Sequence, residues 1–109
     1  GIKLVMELVQ LEEKIKNADM VITGEGSTDY QTLFGKVPLG IAKIAKKHNK
    51  PVVCISGSLG EGYEELYNEG IEAFFSIVNR PMNLEEAMGR SEELLEKITA
   101  NVLNVCFMK

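Results

Sequence analysis

Two short apolar runs, 20-MVIT-23 and 52-VVCIS-56, each break off in glycines, and the sequence between them carries helical rather than alternating periodicity. Runs this short and this rich in β-branched residues fit strands buried on both faces, the environment of a parallel sheet covered by helices. A third run, 71-IEAFFSIV-78, reads the same way. Parallel neighbours need a long crossover, and helical patterns stand where the crossovers should be. Before the first run, Leu4, Leu8, Leu11 and Ile15 recur at helical spacing opposite Glu12, Glu13, Lys14 and Lys16, and Ala18 and Asp19 end that helix. Pro38 opens a second helix carrying Ile41, Ile44 and Ala45, with Lys46, Lys47 and His48 near its negative end and Asn49 and Pro51 to stop it. A short helix over 63-YEELYNE-69 ends at Gly70. After the turn 79-NRPMN-83, Asn83 and Glu86 form an N-cap pair. A long last helix follows, with a core stripe of Leu84, Ala87, Met88, Ser91, Leu95, Ile98, Val102 and Val105.

The order predicts an α/β fold: a three-layer, Rossmann-like βαβαβα unit with a short parallel sheet, helices on both faces and right-handed crossovers, preceded by an N-terminal helix. Residues 1–109 then make one α/β domain. Ligands of such sheets bind beyond the carboxyl ends of the strands, where 24-GEGSTDYQT-32, 56-SGSLGEG-62 and 79-NRPMN-83 are expected as loops.

The first of these segments combines two chemistries. Gly24, Gly26 and Gly35 let a ligand approach the backbone; Ser27, Thr28 and Thr32 add hydroxyls; Lys36 supplies a cation suited to phosphate. Glu25 and Asp29 can accept a hydroxyl proton or offer hard oxygens to Mg²⁺. The same residues also suit plain turn capping. In the second segment Ser56, Gly57 and Ser58 can hold an anion or merely start the next helix, and Arg80 can reach a carboxylate or phosphate or simply face solvent.

Common glycine signatures do not fit. A dinucleotide fingerprint needs its third glycine where Asp29 stands. A Walker loop needs Ser or Thr after Lys36, where Val37 is found, and the glycine before Gly35 lies nine residues back. Neither the second nor the third strand ends in the aspartate of a phosphoacceptor domain. At 45% hydrophobic and 26% charged the chain has ordinary globular composition, and a net charge of −4 with scattered cations argues against nucleic acid as a partner. Cys54 and Cys106 lie far apart in apolar runs without a CxxC, so they are expected as reduced core residues. No apolar run approaches membrane-spanning length and no signal-peptide pattern opens the chain, so a cytoplasmic setting is expected, without membrane association.

The run 19-DMVITGEGSTDYQTLFGKVPLGIAKIAKKHNKPVVCISGSLG-60, continued by 70-GIEAFFSIVNRPMNLEEA-87, resembles the glycerate kinase family of the bacterial type that phosphorylates D-glycerate. The ordered set GEG, DxQT, GKxP, GS and SIxxRPMxLEEA carries the likeness, which extends over essentially the whole chain. The family's motif positions fall on Gly24, Glu25, Gly26, Asp29, Gln31, Thr32, Gly35 and Lys36, while Ser27 stands where the family commonly has a basic residue. The resemblance implies transfer of the γ-phosphoryl of ATP, with Mg²⁺, to a hydroxyl of D-glycerate. Asp29, Glu25 and Lys36 are then the expected catalytic residues, with Asp29 and Glu25 towards the metal. A non-catalytic module binding a small anion or nucleotide is the other reading. Family members are several times longer, so the chain is expected to be their C-terminal portion. Its partner would be the N-terminal part of the same polypeptide, and apolar surface left bare without that part would favour self-association.

Overall fold

The computed structural model describes residues 10–28 and 37–108, and its centre is a parallel sheet of β1 (Val21–Thr28), β2 (Val52–Leu59) and β3 (Ala73–Ser76) in the order β1-β2-β3. Five consecutive residues of β2, Val52 to Ser56, are buried, as a central parallel strand requires. Alternation along β2 feeds two cores. Val52 and Cys54 pack with Ile15, Ala42, Ala45, Leu66, Ile71 and Phe74 on one face, while Val53 and Ile55 pack with Val102 and, at its margin, Ile98 on the other. The first face is covered by α1 (helical residues 10–16), α2 (Val37–Lys47) and a 3-10 helix, Tyr63–Glu69; the second is covered by α4 (Ser91–Cys106). This is the expected α/β architecture, with a parallel sheet between two helical layers.

Local chemistry explains how the first layer is placed. Ala42 and Ala45 are fully buried, and their small side chains let α2 lie close on the sheet. The helix ends as Asn49 turns left-handed at φ 57; the Asn49 amide donates to the Lys46 carbonyl and the Lys50 amide to the Ala45 carbonyl, a Schellman closure before Pro51. Lys47 Nζ and His48 Nε2 then meet Glu12 Oε1 on α1 at 2.8 and 2.9 Å, joining the two helices and, through Lys47 first and His48 second, holding the Glu12 carboxyl below its ordinary value. On the 3-10 helix, Tyr63 and Tyr67 set their rings edge-on to Phe74 of β3.

The first two strands run further than their apolar residues indicate. Gly24 to Thr28 and Ser56 to Leu59, expected as loops, continue the β1–β2 pairing, with Glu25 opposite Ser56, Ser27 opposite Ser58 and Thr28 opposite Leu59. Glycine makes this possible at one point. A Cβ at Gly57 would run into the carbonyl oxygen of Gly26, whereas a Cβ at Gly26 would meet open space. The backbones therefore touch at a crossing that only a bare residue 57 tolerates, and the strands stay paired beyond it.

The C-terminal part departs from expectation in the opposite sense. The third strand shrinks to four residues, because after Ile77 donates to the Ser56 carbonyl the Val78 amide turns to Ser76 Oγ. The single last helix is two: α3 (Leu84–Gly89) and α4, separated at Arg90. The glycine before the break is the weakest helix former there. Asn83 caps α3 as expected, its side chain accepting from the Glu86 amide at 2.8 Å. The expected core stripe is therefore split: Val102 is buried, together with Leu94, but Leu84 is 75% exposed, Met88 67% and Val105 69%. Cys54 is a core residue, whereas Cys106 lies exposed near the end of α4 with its thiol towards the sulfur of Met20. β1 is less enclosed than a two-faced buried strand, with Ile22 40% exposed, while Val102 of α4 packs on Val53 and Ile55 of β2. No helix among the described residues is long and apolar enough to cross a membrane.

The two crossing glycines should respond differently to a methyl group. Gly57→Ala, forced against backbone, is expected to destabilise the fold by about 2 kcal/mol or more, the scale of overpacking a tight site. Gly26→Ala should stay within about 0.5 kcal/mol of wild type, as open positions do. Urea unfolding of the two variants checks the contrast, and equal effects would contradict the crossing.

Candidate active site

The extended pairing of β1 and β2 carries polar residues and bare backbone past the two cores to the carboxyl edge of the sheet. There Gly24, Glu25 and Gly26 of β1, Ile55, Ser56 and Gly57 of β2, and Ile77 face Ser91, Glu92 and Leu95 of α4 across a cavity of about 470 Å³. A second cavity of about 290 Å³ adjoins it, sharing Gly26, Gly57, Ile77 and Ser91 and continuing to Ser58, Leu84, Ala87 and Met88. Four shared residues make the two a single groove, floored by the glycine crossing and roofed by α3 and the start of α4.

The floor is fixed by hydrogen bonds. Ser58 Oγ donates to Ser27 Oγ at 3.3 Å across the two strands, and Ser76 Oγ donates to the Gly57 carbonyl at 3.3 Å, tying β3 to the crossing. Ser56 borders the larger cavity, while its buried side chain turns to the packed side of the strand end, with Oγ 3.5 Å from Cys54 Sγ. The roof is set by Arg90. Its guanidinium reaches Glu86 of α3 at 3.4 Å and Glu93 of α4 at 3.2 Å, clamping the elbow that brings Ser91 and Glu92 over the sheet edge. No side-chain hydrogen bond caps the start of α4.

Of the residues singled out from sequence, Gly24, Glu25, Gly26, Ser56, Gly57 and Ser58 line the groove, and Ser27 is held beside it by Ser58. Thr28 closes β1 at the same edge. Arg80 is placed elsewhere: its guanidinium bonds Glu86 Oε2 at 3.0 Å, at the start of α3, and it is not among the lining residues of either cavity. Asp29, Gln31, Thr32, Gly35 and Lys36 lie outside the described residues. Sequence reasoning missed Glu92, Ser91, Leu84 and Met88 as groove residues, because the last helix was read as one piece with these positions on or beside its core stripe. Gly89 was the available signal, a helix breaker one residue before the elbow.

The larger cavity is lined mainly by apolar surface. Among the described residues Glu25 and Glu92 are the charged ones that line it. Among the described residues no group of three or more His, Cys, Asp and Glu side chains gathers, so they build no complete metal cage. Mg²⁺ needs only one or two carboxylates when phosphates and water complete its shell, and Glu25 and Glu92 are the carboxylate-bearing residues that line the larger cavity among those described.

A parallel α/β sheet with a glycine-floored groove at its carboxyl edge defines a ligand-binding unit of the kind in which strand ends carry the chemistry. The chain belongs to the glycerate kinase family, whose model matches residues 1–107. It is 49% identical over 102 residues to a glycerate kinase of Halalkalibacterium halodurans, covering 94% of this chain and 27% of the relative. It is 39% identical over 102 residues to the glycerate 2-kinase of Escherichia coli K12, again 94% of this chain and 27% of the relative. The crystal structure assigned to glycerate kinase 2 of Salmonella typhimurium LT2 superposes with a TM-score of 0.64 at 40% identity, covering 97% of this chain and 26% of that one. The chain thus spans about a quarter of the length of the relatives it matches, and corresponds to their C-terminal part.

The elbow clamp gives a pH-dependent signature. Arg90, and after it Lys97, hold the Glu93 carboxyl down to about 2 from an ordinary 4.5. A carboxyl depressed in the folded state stabilises fully above 4.5 and loses that contribution as pH falls towards about 2. Wild type should therefore be modestly more stable than Glu93→Gln at neutral pH, by thermal midpoint, with the gap closing across that acidic window. A gap that widens on acidification would contradict the clamp.

Proposed function

We propose that the chain forms part of an ATP-dependent kinase that phosphorylates D-glycerate, with the groove at the carboxyl edge as its share of the active site. The observation that carries this reading is the placement of Glu25 and the Gly26–Gly57 crossing in one groove, in a chain of the glycerate kinase family. Phosphoryl transfer asks little covalent chemistry of a protein and depends on alignment and charge stabilisation. In the proposed step a glycerate hydroxyl oxygen bonds the γ-phosphorus as the bond to the bridging oxygen of ADP breaks, and the hydroxyl proton passes to a carboxylate.

Asp29, which follows Thr28 at the end of β1, is the proposed proton acceptor, and Glu25 binds the neighbouring hydroxyl or turns an oxygen to Mg²⁺. When bound, Mg²⁺ would neutralise phosphate charge. That contribution matters where the charged lining residues among those described, Glu25 and Glu92, are acids. Bare backbone at Gly24, Gly26 and Gly57 and the hydroxyls of Ser27, Thr28 and Ser58 are proposed to orient phosphate oxygens, with Gln31, Thr32, Gly35 and Lys36 completing that set and Lys36 supplying its cation. Ser56 contributes by fixing the buried end of β2. Arg80 is proposed to act through Glu86 and the elbow. The remaining part of the polypeptide supplies the opposite wall, and with ATP as donor the enzyme works in the cytoplasm. The E. coli relative is named a glycerate 2-kinase, so the acceptor proposed is the 2-hydroxyl.

In the full-length protein, Glu25→Gln is expected to lower kcat with ATP and D-glycerate about a hundredfold or more, the range of a lost acid–base or charge-positioning group. An assay coupled to dehydration of 2-phosphoglycerate reads both the rate and the hydroxyl used, and near-normal turnover would refute the role. The 109-residue chain alone, lacking the opposite wall, is expected to show no turnover in the same assay.

A further inference from the structure

Close approach and a fixed backbone make opposite demands on Gly57. A Cβ there would run into the Gly26 carbonyl, so the residue must be bare, yet glycine is the residue whose backbone turns most freely. A side chain from the neighbouring strand restores the restraint. Backbone bonding from β3 to β2 reaches the Ser56 carbonyl, which accepts from the Ile77 amide at 2.9 Å. The next carbonyl, that of Gly57, accepts instead from Ser76 Oγ at 3.3 Å, and the same oxygen takes the Val78 amide at 3.1 Å. Ending β3 requires only the bond from Val78, the ordinary turn in which a serine hydroxyl accepts from the amide two residues on. The hydroxyl proton is not needed for that turn; it goes across to β2, onto the crossing itself.

Resting on the kinase reading above, we propose that Ser76 is a positioning residue for phosphoryl transfer: by holding the Gly57 carbonyl it sets the peptide plane of the groove floor on which the reacting groups are aligned. A trans peptide is one rigid plane, with the Gly57 carbonyl on one edge and the Ser58 amide on the opposite edge. Fixing the carbonyl towards β3 therefore fixes the amide and the start of Ser58, which lines the smaller cavity and whose hydroxyl reaches Ser27. Ile77, the next residue after Ser76, lines both cavities, so one hydroxyl ties the floor of the groove to part of its wall. Ser76 is not among the lining residues of either cavity, and its effect passes through Gly57 rather than through contact with substrate. Phosphoryl transfer depends on alignment, and misplacement by about 1 Å is enough to slow a reaction about a hundredfold. Loosening the Gly57 plane therefore falls on turnover more than on substrate affinity.

Ser76→Ala and Ser76→Thr in the full-length enzyme test the assignment. Alanine removes the hydroxyl; threonine keeps it, suits a strand, and has space for its methyl in a cavity of about 130 Å³ that Ser76 borders beside α4. With ATP and D-glycerate, Ser76→Ala is expected to lower kcat about tenfold, the scale of one hydrogen bond, with both KM values within about threefold of wild type. Ser76→Thr should recover most of the rate. A kcat for Ser76→Ala within about twofold of wild type overturns the proposal, as does an equal loss in both variants or a loss confined to KM. Wild-type turnover reports on the kinase reading and the ratio of Ser76→Ala to wild type on this one, so an active wild type matched by its alanine variant removes only the role of Ser76. Amide hydrogen exchange on the same full-length proteins needs no turnover. Exchange at the Ser58 amide should quicken about tenfold in Ser76→Ala and not in Ser76→Thr, which supports the restraint even if glycerate is not phosphorylated; exchange that Ser76→Ala leaves unchanged overturns it whatever the activity.

Discussion

The contact between the backbones of Gly26 and Gly57 governs the functional edge of this molecule. Parallel strands ordinarily part where their apolar residues stop, because side chains and loop geometry push them apart. Here residue 57 can carry no Cβ without striking the Gly26 carbonyl, so glycine keeps β1 and β2 paired as far as Thr28 and Leu59. Everything at the groove follows from that extension. Glu25 is held opposite buried Ser56, Ser27 is bonded to Ser58, and the floor between the two cavities is peptide backbone rather than side chain.

The other wall depends on a charge cluster rather than on packing. Glu86 receives both Arg80 and Arg90, and Arg90 passes on to Glu93, so a cluster of three ion pairs near the surface braces α3 and its elbow with α4. Exposed pairs of this kind contribute little individually to stability. Their use here is orientation: they bring Ser91 and Glu92 of α4 over the sheet edge while turning the apolar side of α3 towards the groove. The part of the chain that builds the site is thus a floor anchored by the buried stretch of β2, Val52 to Ser56, and a roof set by electrostatics.

Much of this was legible in the sequence. The β-branched runs at 20–23 and 52–56, the helical spacing between them and the Asn49–Pro51 stop report local preferences that the tertiary structure respects. The family motif likewise led to Gly24, Glu25, Gly26, Gly57 and Ser58, all of which meet in one groove. What the sequence concealed were features set by contacts between distant residues. Gly24 to Thr28 read as a loop because glycine and serine are loop formers, and the crossing that makes them strand requires knowing that residue 57 lies against residue 26. The helix after Asn83 read as continuous because its apolar spacing persists through the break, although that spacing serves the groove before Arg90 and the core after it. Arg80 read as a ligand-seeking cation because nothing in its neighbourhood announced that Glu86 would occupy it.

The most direct test is a crystal structure of the full-length protein with D-glycerate, Mg²⁺ and a non-hydrolysable ATP analogue. The account predicts both ligands in the groove walled by the ends of β1 and β2 and the start of α4, with Glu25 within hydrogen-bonding reach of glycerate or a metal-bound water. Ligands bound at a cleft that β1, β2 and α4 do not line would contradict it.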